Sequence, residues 1–410
     1  MIPAGQSRNT VLFILLTAFL NLAGIGIIAP VLPFITGKYV DRADVIVVGS
    51  LLFTAYSFFQ FIATPTLGAL SDRYGRRPVL LISLLGSAAG YLMLGIGGSI
   101  AMLFTGRIID GITGGNLATI YAYAADITEP KERTRFFGML GSVAGLGFVF
   151  GPLVGLIAYR LTGTYEAPLY FAALLTLVNV VWGYFVMPES LSAERRDKHI
   201  TLQRLNPLTQ LVNVFRIPQI RLLLIGTLLW SMAFAALQSN LSFLAEDRLN
   251  WQADQTNLIF FIVGLVGIIT QGLVVRRLLP ILGEARMTIL GLLFMMVGFL
   301  ILSLVAATLS PVFLFIGIIP VAFGNGLIIP SLSGLLSGLV SANEQGRIQG
   351  GNQSIQALGR VIGPLWGGWI YTTITASAPY LLGAGFLLAG AGMIFLAWRE
   401  TNHPVATSAD

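Results

Sequence analysis

Apolar residues fill the chain in runs of twenty or more. Polar or Gly/Pro punctuation divides them into twelve segments, at about 10–36, 46–70, 78–97, 100–126, 133–160, 166–187, 220–245, 254–279, 286–308, 311–340, 345–373 and 379–398. Crossing a hydrocarbon core of about 30 Å takes roughly 20 apolar residues as helix, whereas a barrel shows weak alternating stretches of about 10. The pattern therefore predicts an all-α membrane protein of twelve transmembrane helices. The longest polar stretch inside the chain, Pro188 to about Pro218, leaves six spans on either side. The expected organisation is an N-terminal six-helix bundle at 1–187, a cytoplasmic linker at 188–218, a C-terminal six-helix bundle at 219–400 and a tail at 401–410. The run from Val11 to about Ile35 is too long for the roughly 7 to 15 apolar residues of a signal peptide and reads as a retained first span.

Basic residues assign the sides. With the N-terminus inside, inner segments collect 18 of the 24 Lys and Arg, and the outer loops hold only Lys38, Arg42, Arg160 and Arg248. Both termini are thus expected in the cytoplasm of a cell or inner membrane. This sorting also accounts for the net charge of +6 without nucleic acid. Composition adds exclusions: 55% hydrophobic and 10% charged residues, against roughly 25% charged in soluble proteins, rule out a soluble globule. A mean hydropathy of +0.82 rules out disorder. There is no cysteine, and the two histidines, His199 and His403, lie in polar segments, so no metal, cofactor or enzymatic centre is expected.

The segment from Glu132 to Tyr159 aligns without gaps on Glu344 to Tyr371 at a constant offset of 212. Glu132/Glu344, Arg135/Arg347, Gly138/Gly350, Gly147/Gly359, Gly151/Gly363, Pro152/Pro364, Gly155/Gly367 and Tyr159/Tyr371 coincide. Glycine composition explains neither the charged matches nor the shared Gly-Pro. Two homologous halves joined by a polar loop predict pseudo-symmetric bundles that rock about a midplane substrate.

Between spans 2 and 3 the chain reads Gly68-Ala-Leu-Ser-Asp72-Arg73-Tyr-Gly75-Arg76-Arg77-Pro78. A plain positive-inside loop explains the arginines but not the GxxxDxxGRR spacing, which resembles the loop signature of the major facilitator superfamily. The second half carries a degenerate copy through Gly272, Arg276, Arg277, Gly283 and Arg286. The stretch from Thr105-Gly-Arg107 to Gly114 and on through Asp126 to Glu132-Arg133 is similar to spans 4 and 5 of tetracycline efflux proteins. So are Asn21 to Pro33, Met187-Pro188-Glu189-Ser190, and Gly324-Asn325-Gly326 through Pro330 to Gly363-Pro364. Gly147-Phe-Val-Phe-Gly151-Pro152-Leu-Val-Gly155 resembles the antiporter motif of the drug and proton antiporter branch. Its small residues at i, i+4 and i+8 admit a close neighbouring helix, which is also what ordinary packing needs.

An ionisable residue at the bilayer centre costs about 2.5 to 3.5 kcal/mol on insertion scales, so buried charge marks function. Arg107 and Asp110 stand i, i+3 on span 4 and share a face. Two readings are open: a static ion pair, or a titrating Asp110 whose protonation competes with substrate while Arg107 tunes it. Arg360, in span 11, has no acid on its own span and can face Asp110, a substrate anion or helix-end carbonyls. Asn21, Tyr56, Gln60, Asn116, Tyr121, Gln238, Asn325 and Gln356 are polar candidates for the cavity wall, with Trp230 and Phe234 as an aromatic wall. For each, an interhelical hydrogen bond or plain packing is the competing reading. The resemblance implies that Gly68, Asp72, Arg73, Gly75, Arg76 and Asp126 form a conformational latch.

Tetracycline exporters carry acids on spans 1, 3 and 9; the corresponding positions here are Asn21, Gly90 and a span 9 without an acid. Asp110 is the one deep carboxylate left. The expectation is a monomeric secondary transporter in the lipid bilayer that exchanges a small amphipathic compound for protons by alternating access. The alternative is a pH-independent facilitator or importer of an anionic or zwitterionic metabolite.

Overall fold

The computed structural model describes residues 8–129, 132–197, 205–339 and 345–402, and every element among them is helical. His199 and His403, with Lys131, Lys198 and Arg204, lie outside the described residues. The helices are α1 (Arg8–Thr36), α2 (Val45–Tyr74), α3 (Arg76–Ile96), α4 (Ile100–Gly114), α5 (Leu117–Asp126), α6 (Arg133–Thr162) and α7 (Ala167–Val186). They continue as α8 (Pro207–Phe215), α9 (Arg221–Leu249), α10 (Ala253–Ile269), α11 (Arg276–Thr308), α12 (Pro311–Gly338), α13 (Gln345–Thr373) and α14 (Ala378–Asn402). With α4 and α5 together making one span and α8 lying in the linker, these are the twelve spans.

Three details depart from the expected boundaries. Span 4 is broken, because the poor helix formers Gly114, Gly115 and Asn116 meet there and the Asn116 amide is drawn into a hydrogen bond with Asn21 on α1. The expected break at about 280–285 is reduced to one non-helical residue, Gly283 (φ 75°, ψ 167°), and α10 runs into α11 through a π-helical turn, Thr270–Val275. The linker, expected as polar loop, contains the short helix α8, whose Val214 is buried.

The chain forms two compact units, Met1–Pro207 with Ala245–Gly264, and Leu208–Leu244 with Leu265–Asp410. In the first, α1 lies along α6, and α3 is packed between α4 and α7. Phe13, Ile14, Leu80, Ile120, Tyr123 and Leu140 fill its core with almost no exposure. In the second, α11 packs on α12 and α14.

The repeat has a structural counterpart within each unit. β-Carbons added to Gly147 and Gly151 would meet the α1 backbone at Phe19 and Ala23. Those added to Gly359 and Gly363 would meet α9 at Ser231, Met232 and Ala235. The partner positions Phe19/Ser231 and Ala23/Ala235 keep the offset of 212, so the repeat extends from spans 5 and 11 to spans 1 and 7.

Candidate functional site

Ser99 starts α4 by accepting a hydrogen bond from the Met102 amide at 3.2 Å, and two turns further on the helix carries its charged pair inward. Arg107 and Asp110 are each 2% exposed, with Nη1 to Oδ2 at 3.4 Å. The guanidinium is held on three sides. Its Nε donates to the Leu52 carbonyl at 3.2 Å, and its carbon stands 4.2 Å from the Tyr56 ring centroid and 5.7 Å from that of Phe53. Ser87 of α3 pairs with the Thr113 hydroxyl at 3.0 Å. Such a charge is tolerated in a membrane span only because it is paired and turned into the protein.

Beside Asp110 is a cavity of about one water's size. Its walls include Leu20 and Asn21 of α1, Tyr56 of α2, Leu84, Ser87 and Tyr91 of α3, Gly114 of α4 and Thr176 of α7. Of the polar candidates, Asn21 and Tyr56 reach this wall. Asn116 is fully buried and accepts from Asn21, and Gln60 Nε2 donates to the Tyr56 hydroxyl at 2.9 Å and to the Gly114 carbonyl at 3.1 Å. Tyr121 is elsewhere, 37% exposed and edge-on to Phe137. Ser87, Tyr91 and Thr176 escaped the sequence reading, because isolated hydroxyls in apolar helices carry no signal until the helices pack.

The other candidates belong to the second unit. Trp230 on α9 is buried with its indole nitrogen unpartnered, while Phe234 and Gln238 on the same helix are half-buried. Asn325 on α12 has an unpartnered Oδ1, and Gln356 and Arg360 on α13 are half-buried.

The α2–α3 turn builds a second charged cluster. Gly75 sits at φ 103°, a backbone conformation suited to glycine, and lets α3 start within one residue of the end of α2. Arg76 is buried; it pairs with Asp72, donates from Nε to Asp126 Oδ2 at 3.2 Å and from Nη1 to the Ser71 hydroxyl at 2.7 Å. The Gly68 carbonyl accepts from that hydroxyl at 2.7 Å. Arg73 points away, exposed, over the Tyr74 ring. Glu189 completes the cluster: its Oε1 accepts from the amides of Arg76 at 2.8 Å, Ser190 at 3.0 Å and Leu191 at 3.1 Å. A carboxylate at a helix N-terminus satisfies orphan donors and complements the dipole. The sequence flags Glu189 only within Met187-Pro188-Glu189-Ser190.

At the opposite end of the same unit, Tyr165 stacks on Phe34 with centroids 4.6 Å apart and on Tyr159 at 5.2 Å. Its hydroxyl donates to Gln252 Oε1 at 2.7 Å, Lys38 pairs with Glu166, and Arg160 stands 3.7 Å from Asp254.

The profile of the Major Facilitator Superfamily matches residues 14–364 and again 281–409. The class C tetracycline resistance protein of Escherichia coli is 33% identical over 388 residues, covering 91% of each chain. Human major facilitator superfamily domain-containing protein 10 is 29% identical over 383 residues, 89% of this chain and 81% of that one. The crystal structure of that protein, described as the human organic anion transporter MFSD10 (TETRAN), matches with a TM-score of 0.73 at 27% identity, over 94% of this chain and 99% of that one. The nucleoside transporter NupG, at 15% identity and a TM-score of 0.72, shares the fold. Twelve helical spans, the repeated halves and the profile match agree: this multi-pass membrane protein is a transporter, not an enzyme, and belongs to the major facilitator superfamily.

Proposed function

We propose that the chain is a secondary exporter that moves a small amphipathic compound outward in exchange for protons, with Asp110 as the proton carrier and Arg107 as its partner. The observation that carries this reading is the buried Arg107–Asp110 pair beside a cavity that Asn21, Tyr56, Ser87, Tyr91 and Thr176 also line. Relatives that are tetracycline resistance proteins support efflux. The substrate-binding residues in this proposal are Asn21, Tyr56, Gln60, Asn116 and Tyr121 in the first unit, and Trp230, Phe234, Gln238, Asn325, Gln356 and Arg360 in the second. The Asp72–Arg76–Asp126 cluster acts as a conformational latch on the inner side. We place the protein in a cell or inner membrane as a monomer, with six-helix bundles at 1–187 and 219–400 and both termini in the cytoplasm, following the positive-inside count.

The energetics suffice. One proton crossing about 100 mV supplies about 2.3 kcal/mol, and one pH unit adds about 1.4 kcal/mol. Together they sustain roughly a 500-fold gradient.

A second reading rests on Arg107, Arg360 and the relative described as an organic anion transporter: a pH-independent facilitator or importer of an anionic or zwitterionic compound. Purified protein in liposomes separates the two, with tetracycline, a cationic dye and a dicarboxylate as probes under an imposed pH gradient. Proton-driven movement lost in Asp110→Asn with retained counterflow supports the first reading. Full proton-driven transport in that variant ends it, and transport indifferent to pH supports the second.

A further inference from the structure

A carboxylate that takes up protons from inside a helix bundle needs a route, because Asp110 is 2% exposed. The cavity against it is walled largely by apolar surface, but five polar side chains from four other helices reach it: Asn21, Tyr56, Ser87, Tyr91 and Thr176. An apolar void of one water's size stays dry, whereas a void with two to four donors and acceptors holds a water. Tyr91 supplies the clearest vacant group, 6% exposed, with no hydrogen bond from its hydroxyl to any described residue. A buried hydroxyl left unsatisfied costs about 1 to 3 kcal/mol, which a bound water recovers in large part. Asn21 spends its amide on Asn116 and keeps its carbonyl oxygen as an acceptor. The titratable and charged groups facing Asp110 are Arg107 on its own helix, Tyr56 from α2 and Tyr91 from α3; α1 and α7 offer only the uncharged Asn21 and Thr176.

We propose that this cavity binds one water molecule, held by the Tyr91 hydroxyl, the Asn21 carbonyl oxygen and the Asp110 carboxylate, and that the coupling proton passes through it. The proposal rests on the proton-coupled reading above. A proton reaching the water makes a hydronium. One O–H bond of the hydronium breaks as an O–H bond forms on the Asp110 carboxylate, leaving a neutral water and a neutral acid, and release reverses the step. Tyr91 is a positioning residue: its hydroxyl fixes the water and keeps its own proton.

Infrared difference spectroscopy on the full chain in lipid tests this without a transported ligand. After a pH jump, the C=O stretch of protonated Asp110 is identified by its loss in Asp110→Asn, and the bound water by a band that moves in heavy-oxygen water. Tyr91→Phe deletes the hydroxyl and keeps the ring. Gly24→Ala displaces the same hydroxyl from the other side, since a β-carbon there would run into it. Tyr91→Phe is expected to melt near the parent temperature and Gly24→Ala below it, and both to lose the water band and to protonate Asp110 about tenfold more slowly. A Tyr91→Phe protein with the parental water band and protonation rate overturns the relay and leaves the coupled reading standing. Absence of any Asp110 band over the whole pH range in which the parent stays folded removes the coupled reading itself, and the relay with it.

Discussion

A β-carbon on Gly90 would stand 2.8 Å from the β-carbon of Asp110, and equally close to the Gly106 carbonyl oxygen. Helices α3 and α4 therefore meet where Asp110 enters the core, and the bare face of Gly90 is the space that its side chain needs. Gly90→Ala should force the helices apart. Overpacking costs about 1 to 3 kcal/mol, against about 1 kcal/mol gained in helix propensity. The expected outcome is a lower melting temperature together with proton-driven transport impaired more than counterflow. A variant that melts and transports like the parent would mean that the contact is looser than this geometry.

Glu189 ties the linker to the first turn of α3 through the Arg76 and Arg77 amides, and also accepts from the amides of its own neighbours Ser190 and Leu191. Glu189→Gln keeps an acceptor but removes a charge worth about 0.3 to 1 kcal/mol at a helix N-terminus. Glu189→Ala also orphans the amides, at about 1 kcal/mol more. Limited proteolysis should cut the segment after Pro188 faster in the order Ala, Gln, parent. Equal rates would show that the linker is held by its other ties, the Tyr123 hydroxyl on the Pro188 carbonyl and the Asp197 amide on the Asp72 carbonyl.

The helices, the repeat and the Arg107–Asp110 pair were legible in the sequence because each rests on local spacing: run length, a fixed offset, and i, i+3 on one turn. The break at Gly115–Asn116 was not, since it depends on Asn21, which lies 95 residues away in sequence and meets Asn116 only after α1 packs. Ser87, Tyr91 and Thr176 were missed for the same reason. Glu189 was legible as part of a familiar tetrapeptide but not as a cap, because the helix it caps begins 113 residues earlier.

The matched glycines make a symmetric prediction. Gly147 sits against the α1 backbone at Phe19, and Gly359 against the Ser231 side chain and the Met232 backbone nitrogen of α9. Gly147→Leu and Gly359→Leu should each separate its helix pair, with a loss of at least about 1 to 3 kcal/mol, read as lower yield and lower melting temperature of purified protein. Gly145→Leu and Gly350→Leu, at positions with nothing within 4 Å of an added β-carbon, are the controls and should melt near the parent. A tolerated Gly359→Leu beside a damaging Gly147→Leu would limit the shared packing to the first unit.

The Tyr165 cluster predicts a pH effect of definite sign. Burial, followed by the hydrogen bond with Tyr159 and the nearby Asp254 and Glu246 charges, pushes its hydroxyl from 10.0 up to about 12. A raised value means that the fold favours the protonated phenol, which is the form that donates to Gln252. Its stabilising contribution is therefore whole below about pH 10 and is lost as the pH climbs through about 12. Tyr165→Phe keeps the stacking on Phe34 and removes the hydroxyl, so the parent should be the more stable at neutral pH by about 1 kcal/mol, the worth of one hydrogen bond. Melting curves of the two proteins should converge as the pH rises from 10 to 12, with the remaining tyrosines common to both. A gap that stays constant over that window would show that the phenol and Gln252 do not depend on the proton between them.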